Sequence, residues 1–262
     1  MSTSSPRPSI TELRAVTQPD AVVGRTSAEH WSGRLYMRRL SPYVTRLLLG
    51  TSLSATTVTA LMTPIGLMAA LSLTLPGIAG ALGAVVLLQV QELIDCTDGE
   101  LARWRGTFSA AGIYLDRIAH HVTTAALPIA LGVRADGGWD AIGGWTTVGL
   151  GVAVLALLIM AETHLVVVAR TEAGLPLAAD TVTVAAPRGS RLRRLRRMAR
   201  FVPFFRAFVP VEASLLALAA AVADVLLGGL GGTRTLLLAL VGVGIVTFAG
   251  HLVGVLSSQR LR

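Results

Sequence analysis

The sequence predicts an all-α integral membrane protein with six transmembrane helices and an N-terminal interfacial amphipathic helix. Of the 262 residues, 53% are hydrophobic and only 15% are charged, and the mean hydropathy is +0.65. Soluble domains carry about 25% charged residues, so the composition indicates a polytopic membrane protein. The single cysteine, Cys96, excludes an internal disulfide.

Six apolar stretches have the roughly 20 residues that a helix needs to cross a bilayer. They run approximately from Leu53 to Leu75, Gly77 to Ile94, Ala110 to Val133, Thr147 to Ala169, Ala207 to Leu230 and Leu236 to Ser257. The third stretch is the least typical, because four polar residues occupy its first half: Asp116, Arg117, His120 and His121.

The distribution of arginine predicts the orientation of these spans, and the chain has no lysine. Arginines cluster before the first span, between the second and third, between the fourth and fifth, and after the sixth. The other connections carry only Arg134 and Arg234. The positive-inside rule then places both termini in the cytoplasm, which requires an even number of spans. We therefore expect a multi-pass protein of the cell (plasma) membrane.

The chain is expected to have three parts: a disordered cytoplasmic tail at 1–26, an interfacial juxtamembrane helix at 27–50 and a membrane domain at 51–258. The tail is expected because its first part is rich in Ser, Thr and Pro. The interfacial helix is expected because Trp31, Leu35 and Tyr36 cluster on one side of it. We expect Pro42 to break that helix.

A cytoplasmic segment of the membrane domain, residues 188–206, is rich in arginine. Two interpretations are open, and both could hold together. The segment could anchor the protein on anionic lipid. Alternatively, arginine forks could recognise a phosphorylated acceptor. The candidates for this second role are Arg191, Arg194, Arg197 and Arg206.

Three acids lie around the connection between the second and third spans: Asp95, Asp98 and Asp116. An acid at membrane depth is costly and needs a partner, a cavity or a metal. Asp95 and Asp98 share one helix face, while Gly112, Asp116 and His120 share a face of the next helix. Two antiparallel helices would bring these faces together on the cytoplasmic side. Oxygen-rich ligands suit Mg²⁺ or Mn²⁺, so we expect a site for one or two such ions.

Small residues accompany these acids. Gly99, Ala102 and Gly112 remove side-chain bulk and would leave room for a ligand against the backbone. Arg103 is placed to contact a phosphate. In the competing interpretation, the acids pair with Arg103, Arg105 and Arg117 and only fix helix packing.

The spacing of these residues resembles the motif of the CDP-alcohol phosphotransferase (CDP-alcohol phosphatidyltransferase) family, D-x₂-D-G-x₂-A-R-x₈-G-x₃-D-x₃-D. Seven of its eight fixed positions match: Asp95, Asp98, Gly99, Ala102, Arg103, Gly112 and Asp116. His120 stands at the eighth. Six spans are also typical of the family. Before the first span, Ala55-Thr56 replaces the common Pro-Asn, whereas Val58-Thr59 fits the family pattern.

The resemblance implies a transferase of phospholipid or related biosynthesis with a cytoplasmic active site. Such enzymes move a substituted phosphate group, commonly phosphatidyl, from a CDP-alcohol such as CDP-diacylglycerol to an acceptor alcohol, and they release CMP. By this likeness Asp95, Asp98 and Asp116 bind metal. The residues that would contact the CDP part are Gly99, Ala102, Arg103, Ser109, Gly112 and Thr59.

The resemblance also bears on the partners. The acceptor is expected to be a small or phosphorylated alcohol, with inositol phosphate and glycerol phosphate as examples. Membrane lipid is an expected partner, a homodimer is a further expectation because dimers are common in the family, and no nucleic-acid partner is expected.

His120 departs from the family, whose fourth Asp serves as base and often as metal ligand. Neutral imidazole can take either role, although serving both at once is not expected because a metal depresses the imidazole pKa. Three alternatives stay open: an enzyme with His120 as base, an enzyme whose base lies elsewhere, and a non-catalytic CDP-lipid-binding or metal-binding protein of the same fold. His121 is the adjacent fallback, but it points roughly 100° away around the helix.

Polar residues in the later spans are further candidates, since ionisable groups at membrane depth are often functional. Glu162 lies in the fourth span and Glu212 near the start of the fifth. Glu212 could instead form a structural pair with Arg206. We expect His251, in the last span, to be a packing residue.

Overall fold

The computed structural model describes residues 8–19, 32–176, 204–258 and 261. The regular structure within these ranges is helical, which confirms the all-α class. We number the α-helices in chain order as α1 (Ile10–Thr17), α2 (Arg38–Leu48), α3 (Ala55–Ala60), α4 (Met62–Thr74), α5 (Gly77–Arg105), α6 (Ala110–Asp136), α7 (Gly144–Glu172), α8 (Pro210–Leu227) and α9 (Gly231–Ser257). A π-helical turn at Gly33–Met37 precedes α2, and 3₁₀ segments lie at Trp139–Ala141 and Phe204–Phe208.

Five helical stretches among the described residues are long and apolar enough to cross a membrane: Ala55–Thr74, which comprises α3 and α4, and then α5, α7, α8 and α9. They correspond to five of the six predicted spans, and the protein is therefore a multi-pass membrane protein. The α6 helix has the length of a span, but polar side chains occupy its first half. Its role as the sixth span stays a prediction.

The chain divides into two compact units. The first comprises Met1–Ala69 and Val86–Val122, and the second comprises Ala70–Val85 and Thr123–Arg262. All residues of the predicted motif belong to the first unit.

An ordered helix lies where the sequence predicted a disordered tail, so the prediction for residues 1–26 is wrong over Ile10–Thr17. Ser9 and Glu12 form a capping box that satisfies backbone donors at the start of α1. Hydrogen bonds from the backbone N–H and the hydroxyl of Ser9 hold the pKa of Glu12 below its usual value. Leu13 and Thr17 are fully buried, so the helix also has a packed face.

The prediction that Pro42 breaks the juxtamembrane helix is also wrong, because α2 continues through it. Proline lacks an N–H, which leaves the carbonyl four residues earlier without its helical donor. That carbonyl belongs to Arg38, and it accepts a hydrogen bond from Gln18 Nε2 at 2.8 Å. A side chain next to α1 thus satisfies the group that Pro42 leaves open.

The α2 helix buries two small polar residues and exposes three large apolar ones. Ser41 and Thr45 are fully buried, whereas Leu40, Tyr43 and Leu47 are exposed. An outward apolar face suits a helix that lies against lipid, which supports the predicted interfacial placement. Trp31, on which that prediction partly rested, lies outside the described residues.

The fully buried carboxylate of Glu100 on α5 joins this N-terminal region to α5. Its Oε1 accepts hydrogen bonds from Ser41 Oγ at 2.5 Å and Gln18 Nε2 at 2.7 Å, and its Oε2 accepts one from Thr45 Oγ1 at 2.7 Å. Apolar contacts add to these bonds, since Leu101 packs in a buried cluster with Ala55 and Val58.

In the second unit, α9 packs against α7 and α8, and α6 approaches α7 through glycines. A Cβ on Gly149 would lie 2.4 Å from the Pro128 carbonyl oxygen and 3.1 Å from the Cα of Gly132. Small residues of this kind allow close approach of membrane helices. Asp136, at the end of α6, accepts hydrogen bonds from the backbone N–H groups of Gly143, Trp145 and Thr146 around the start of α7.

The Gly149→Ala substitution is expected to destabilise the protein by about 1–3 kcal/mol, because the new Cβ meets backbone atoms that cannot rotate away. Thermal unfolding in detergent measures this change. The matched control is Gly151→Ala on the same helix, where a Cβ has no neighbour within 4 Å. Equal unfolding midpoints for the two variants would contradict the close approach.

Candidate metal and nucleotide site

Three side chains from α5 and α6 place their potential ligand atoms together. The Nε2 atom of His120 lies 3.5 Å from Asp95 Oδ1 and 3.3 Å from Asp116 Oδ1. One ligand atom from each of the three residues falls within 4.8 Å of the others. Asp116 and His120 share a face of α6, as their spacing predicts, and α5 supplies Asp95.

This donor set fits a divalent cation. Adjacent ligands of an octahedral Mg²⁺ lie about 3.0 Å apart, given metal–ligand distances of about 2.1 Å. The two distances from His120 Nε2 are only slightly longer. The side chains are between 34% and 40% exposed, which leaves one side of the cluster open to water and to phosphate oxygens. Two carboxylates and one imidazole are ligands that Mn²⁺ or Mg²⁺ accepts.

Asp98 has a different environment from the other two acids. It is 8% exposed, and its Oδ2 accepts a hydrogen bond of 2.5 Å from Thr59 Oγ1. The Thr59 hydroxyl also lies 3.0 Å from the carbonyl oxygen of Ala55, and Thr59 itself is buried. The structure therefore places Thr59 against a predicted metal ligand. The metal role of Asp98 and the CDP contact of Thr59 stay predictions.

Arg103 lies folded over Gly99. A Cβ added to Gly99 would be 3.2 Å from both terminal nitrogens of the Arg103 guanidinium, so this glycine makes room for the side chain. The Arg103 Nε donates a hydrogen bond of 2.6 Å to the carbonyl oxygen of Thr17 at the end of α1. This contact was missed by the sequence analysis, although the capping-box sequence from Ser9 to Glu12 was an available signal for a helix there. Ala102 packs against the buried cluster around Leu101.

Ser109 and Gly112 form the start of α6. The Ser109 hydroxyl accepts a hydrogen bond of 2.9 Å from the backbone N–H of Gly112 and lies 3.1 Å from the Thr56 hydroxyl. A Cβ on Gly112 would meet both hydroxyl oxygens, at 3.1 and 3.4 Å. The structure thus gives Ser109 a capping role. The predicted contacts of Ser109 and Gly112 with CDP stay predictions.

Arg103, within the motif, and Arg105, two residues later, both bind main-chain carbonyls. Arg103 donates to Thr17, and Arg105 donates to the carbonyls of Leu48, Thr51 and Leu53. These bonds tie the chain before α3 to the end of α5. They give Arg105 a structural function that does not involve the acids. His121 Nδ1 lies 2.6 Å from the Arg117 carbonyl of its own helix.

The predicted acceptor residues are only partly within the described structure. Arg191, Arg194 and Arg197 lie outside the described residues. Arg206 is half-buried in the 3₁₀ segment Phe204–Phe208. Their acceptor role stays a prediction.

The structure describes the surroundings of two polar residues in the later spans. His251 Nδ1 lies 2.8 Å from Glu162 Oε2 on α7, and its role as a packing residue stays a prediction. Both carboxylate oxygens of Glu212 are buried without a hydrogen-bond partner among the described residues, so no hydrogen bond supports the structural pair with Arg206 that the sequence suggested. The contact between Glu162 and His251 was not predictable from local spacing, because the two residues are 89 positions apart in the chain.

A family model for CDP-alcohol phosphatidyltransferase matches residues 53–223, which is more than half of the chain and includes the whole motif. The protein therefore belongs to the CDP-alcohol phosphatidyltransferase family. Members are transferases of substituted phosphate groups that use a CDP-alcohol in lipid biosynthesis. No curated protein matches the chain.

The Thr59→Val substitution is expected to weaken Mn²⁺ binding about tenfold, because groups that orient a metal ligand typically contribute this much to metal affinity. Titration of the purified protein with Mn²⁺, followed by electron paramagnetic resonance, measures the change. Thr59→Ser keeps the hydroxyl and should bind Mn²⁺ like the wild type. Unchanged affinity in Thr59→Val would remove the support for Asp98 as a ligand.

Proposed function

We propose that the protein transfers a substituted phosphate group, phosphatidyl from CDP-diacylglycerol, to an acceptor alcohol and releases CMP. The observation that carries this proposal is the donor set of Asp95, Asp116 and His120, which lies within the family motif. In this reaction the acceptor oxygen forms a bond to the phosphorus distal to cytidine. The bond from that phosphorus to the CMP oxygen breaks, CMP leaves with the electron pair of that bond, and the proton of the acceptor hydroxyl is released to solvent.

Mg²⁺ or Mn²⁺, as one or two ions, would be held by Asp95, Asp116 and His120, with Asp98 as a further predicted ligand. When bound, such an ion polarises the phosphoryl group and neutralises the charge of the leaving CMP. Arg103 would contact the pyrophosphate with its terminal nitrogens, because guanidinium groups bind phosphate through paired donors. Gly99 leaves the space in which that fork lies.

We propose that His120 acts as a metal ligand and that the base lies elsewhere. Its Nε2 faces two carboxylates, at 3.3 and 3.5 Å, and this is the position of a ligand that shares an ion with them. A base needs instead to face the acceptor hydroxyl.

The acceptor is proposed to be a phosphorylated alcohol such as inositol phosphate or glycerol phosphate. The support is charge: the chain carries a formal net charge of +8, and residues 188–206 are rich in arginine. We also propose that the protein lies in the plasma membrane, and the positive-inside rule supports cytoplasmic termini and a cytoplasmic active site. We also propose a homodimer, because dimers are common in the family.

A non-catalytic CDP-lipid-binding protein is the second candidate. The observation in its favour is His120, which removes one of the four acids of the family motif. Fewer carboxylates leave less negative charge to hold two divalent ions. A protein of this kind would bind CDP-diacylglycerol and never release CMP.

CMP release from CDP-diacylglycerol by the purified protein is expected to require Mg²⁺ or Mn²⁺ and to stop when the ion is chelated. The Asp116→Asn substitution should lower the rate at least about 100-fold, since it removes a charge that stabilises the reacting phosphate through the ion. Asp140→Asn, an acid-to-amide change in the 3₁₀ segment Trp139–Ala141, is the matched control and should retain full activity. Metal-independent release, or an active Asp116→Asn variant, would contradict the proposal.

The same assay with a panel of alcohols separates the alternatives for His120. If His120 is a metal ligand, we expect His120→Asp to keep activity and His120→Ala to regain part of its activity at high Mn²⁺ concentration. If His120 is the base, we expect His120→Ala to lose activity, and no metal concentration should restore it. If the wild type released no CMP and His120→Asp did, the result would favour the non-catalytic protein.

A further inference from the structure

We propose that α1, together with Gln18, is a positioning element of the nucleotide site that orients Arg103 for the pyrophosphate of the donor. The inference rests on the proposed function, in which Arg103 meets that pyrophosphate. Residues 10–18 lie outside the range that matches the family model, 53–223.

The contact itself is a hydrogen bond of 2.6 Å from Arg103 Nε to the carbonyl oxygen of Thr17. Thr17 is the last residue of α1 and is fully buried. The last carbonyls of a helix have no partner within the helix and carry the negative end of its dipole. A guanidinium group at this position therefore satisfies an open acceptor and has a favourable electrostatic environment.

The geometry leaves the fork of Arg103 directed at the motif. With Nε bound to Thr17, the two terminal nitrogens lie over Gly99, each 3.2 Å from the position of an added Cβ. Arginine has a long side chain that loses conformational freedom when it binds a ligand. A side chain that is already fixed before the donor arrives binds it at a lower entropic cost.

The end of α1 is anchored to two other helices. Gln18 Nε2 donates to Glu100 Oε1 on α5 at 2.7 Å and to the Arg38 carbonyl on α2 at 2.8 Å. Glu100 and Arg103 are three residues apart on α5 and share a face. Glu100 therefore holds the end of α1 in place, and Arg103, one turn later on α5, donates a hydrogen bond to the Thr17 carbonyl of that helix.

The Gln18→Ala substitution in the full-length protein is expected to weaken binding of CDP about tenfold. The end of α1 would lose its anchor, so Arg103 would no longer be held for its charge-assisted contact with the pyrophosphate. Isothermal titration with CDP gives the dissociation constant, and CMP release gives KM and kcat. The expected signature is a raised KM for the donor with unchanged kcat. Val16→Ala is the matched control, because Val16 lies on the same helix and is 50% exposed.

A double-mutant cycle with Arg103→Ala shows whether α1 acts through Arg103. Arg103→Ala alone should weaken CDP binding, and adding Gln18→Ala should weaken it no further. Additive losses, tighter binding in Gln18→Ala, or no change in that variant would overturn the inference. Arg14→Ala, which removes a tether from α1 to the Arg39 carbonyl, should raise KM in the same direction by a smaller factor.

Hydrogen–deuterium exchange separates this inference from the proposed function. Arg103→Ala should speed amide exchange in α1 and leave α8 unchanged, whether or not the protein turns over CDP-diacylglycerol. Unchanged exchange in α1 would overturn the contact. A wild-type protein that bound no CDP would contradict the proposed function and the nucleotide part of the inference together, while the exchange result would still decide the contact.

Discussion

The buried carboxylates on the C-terminal half of α5 are the constraint on which the first unit depends. Glu92, Asp98 and Glu100 are each less than a tenth exposed, and a buried carboxylate without donors is strongly unfavourable. Each receives hydroxyl donors from earlier in the chain: Ser32 for Glu92, Thr59 for Asp98, and Ser41 with Thr45 for Glu100. The segments before α5 are therefore arranged around its acids. Asp95 lies on this same ordered helix and faces His120.

Much of the site could be predicted because its parts are close in the sequence. Helical spacing placed Asp116 and His120 on one face, and the short connection after α5 brought Asp95 to them. The donors to the buried acids could not be predicted in this way, since Gln18 and Glu100 are 82 residues apart. No local pattern connects such partners.

The errors at the N-terminus have physical causes as well. Composition predicted disorder there, but a capping box and a buried Leu13 stabilise α1. Pro42 was expected to end a helix, and it does not because Gln18 supplies the donor that the ring removes. The burial of Leu13 and the hydrogen bond from Gln18 are tertiary contacts, which composition and a single proline do not reveal.

The central claim is that a divalent cation binds among Asp95, Asp116 and His120. The most direct measurement is electron spin-echo envelope modulation of the Mn²⁺-loaded protein, which detects nitrogen bound to the ion. The account predicts modulation from one histidine nitrogen that is lost in His120→Ala and retained in His121→Ala. Mn²⁺ that binds without nitrogen modulation, or modulation that survives in His120→Ala, would contradict it.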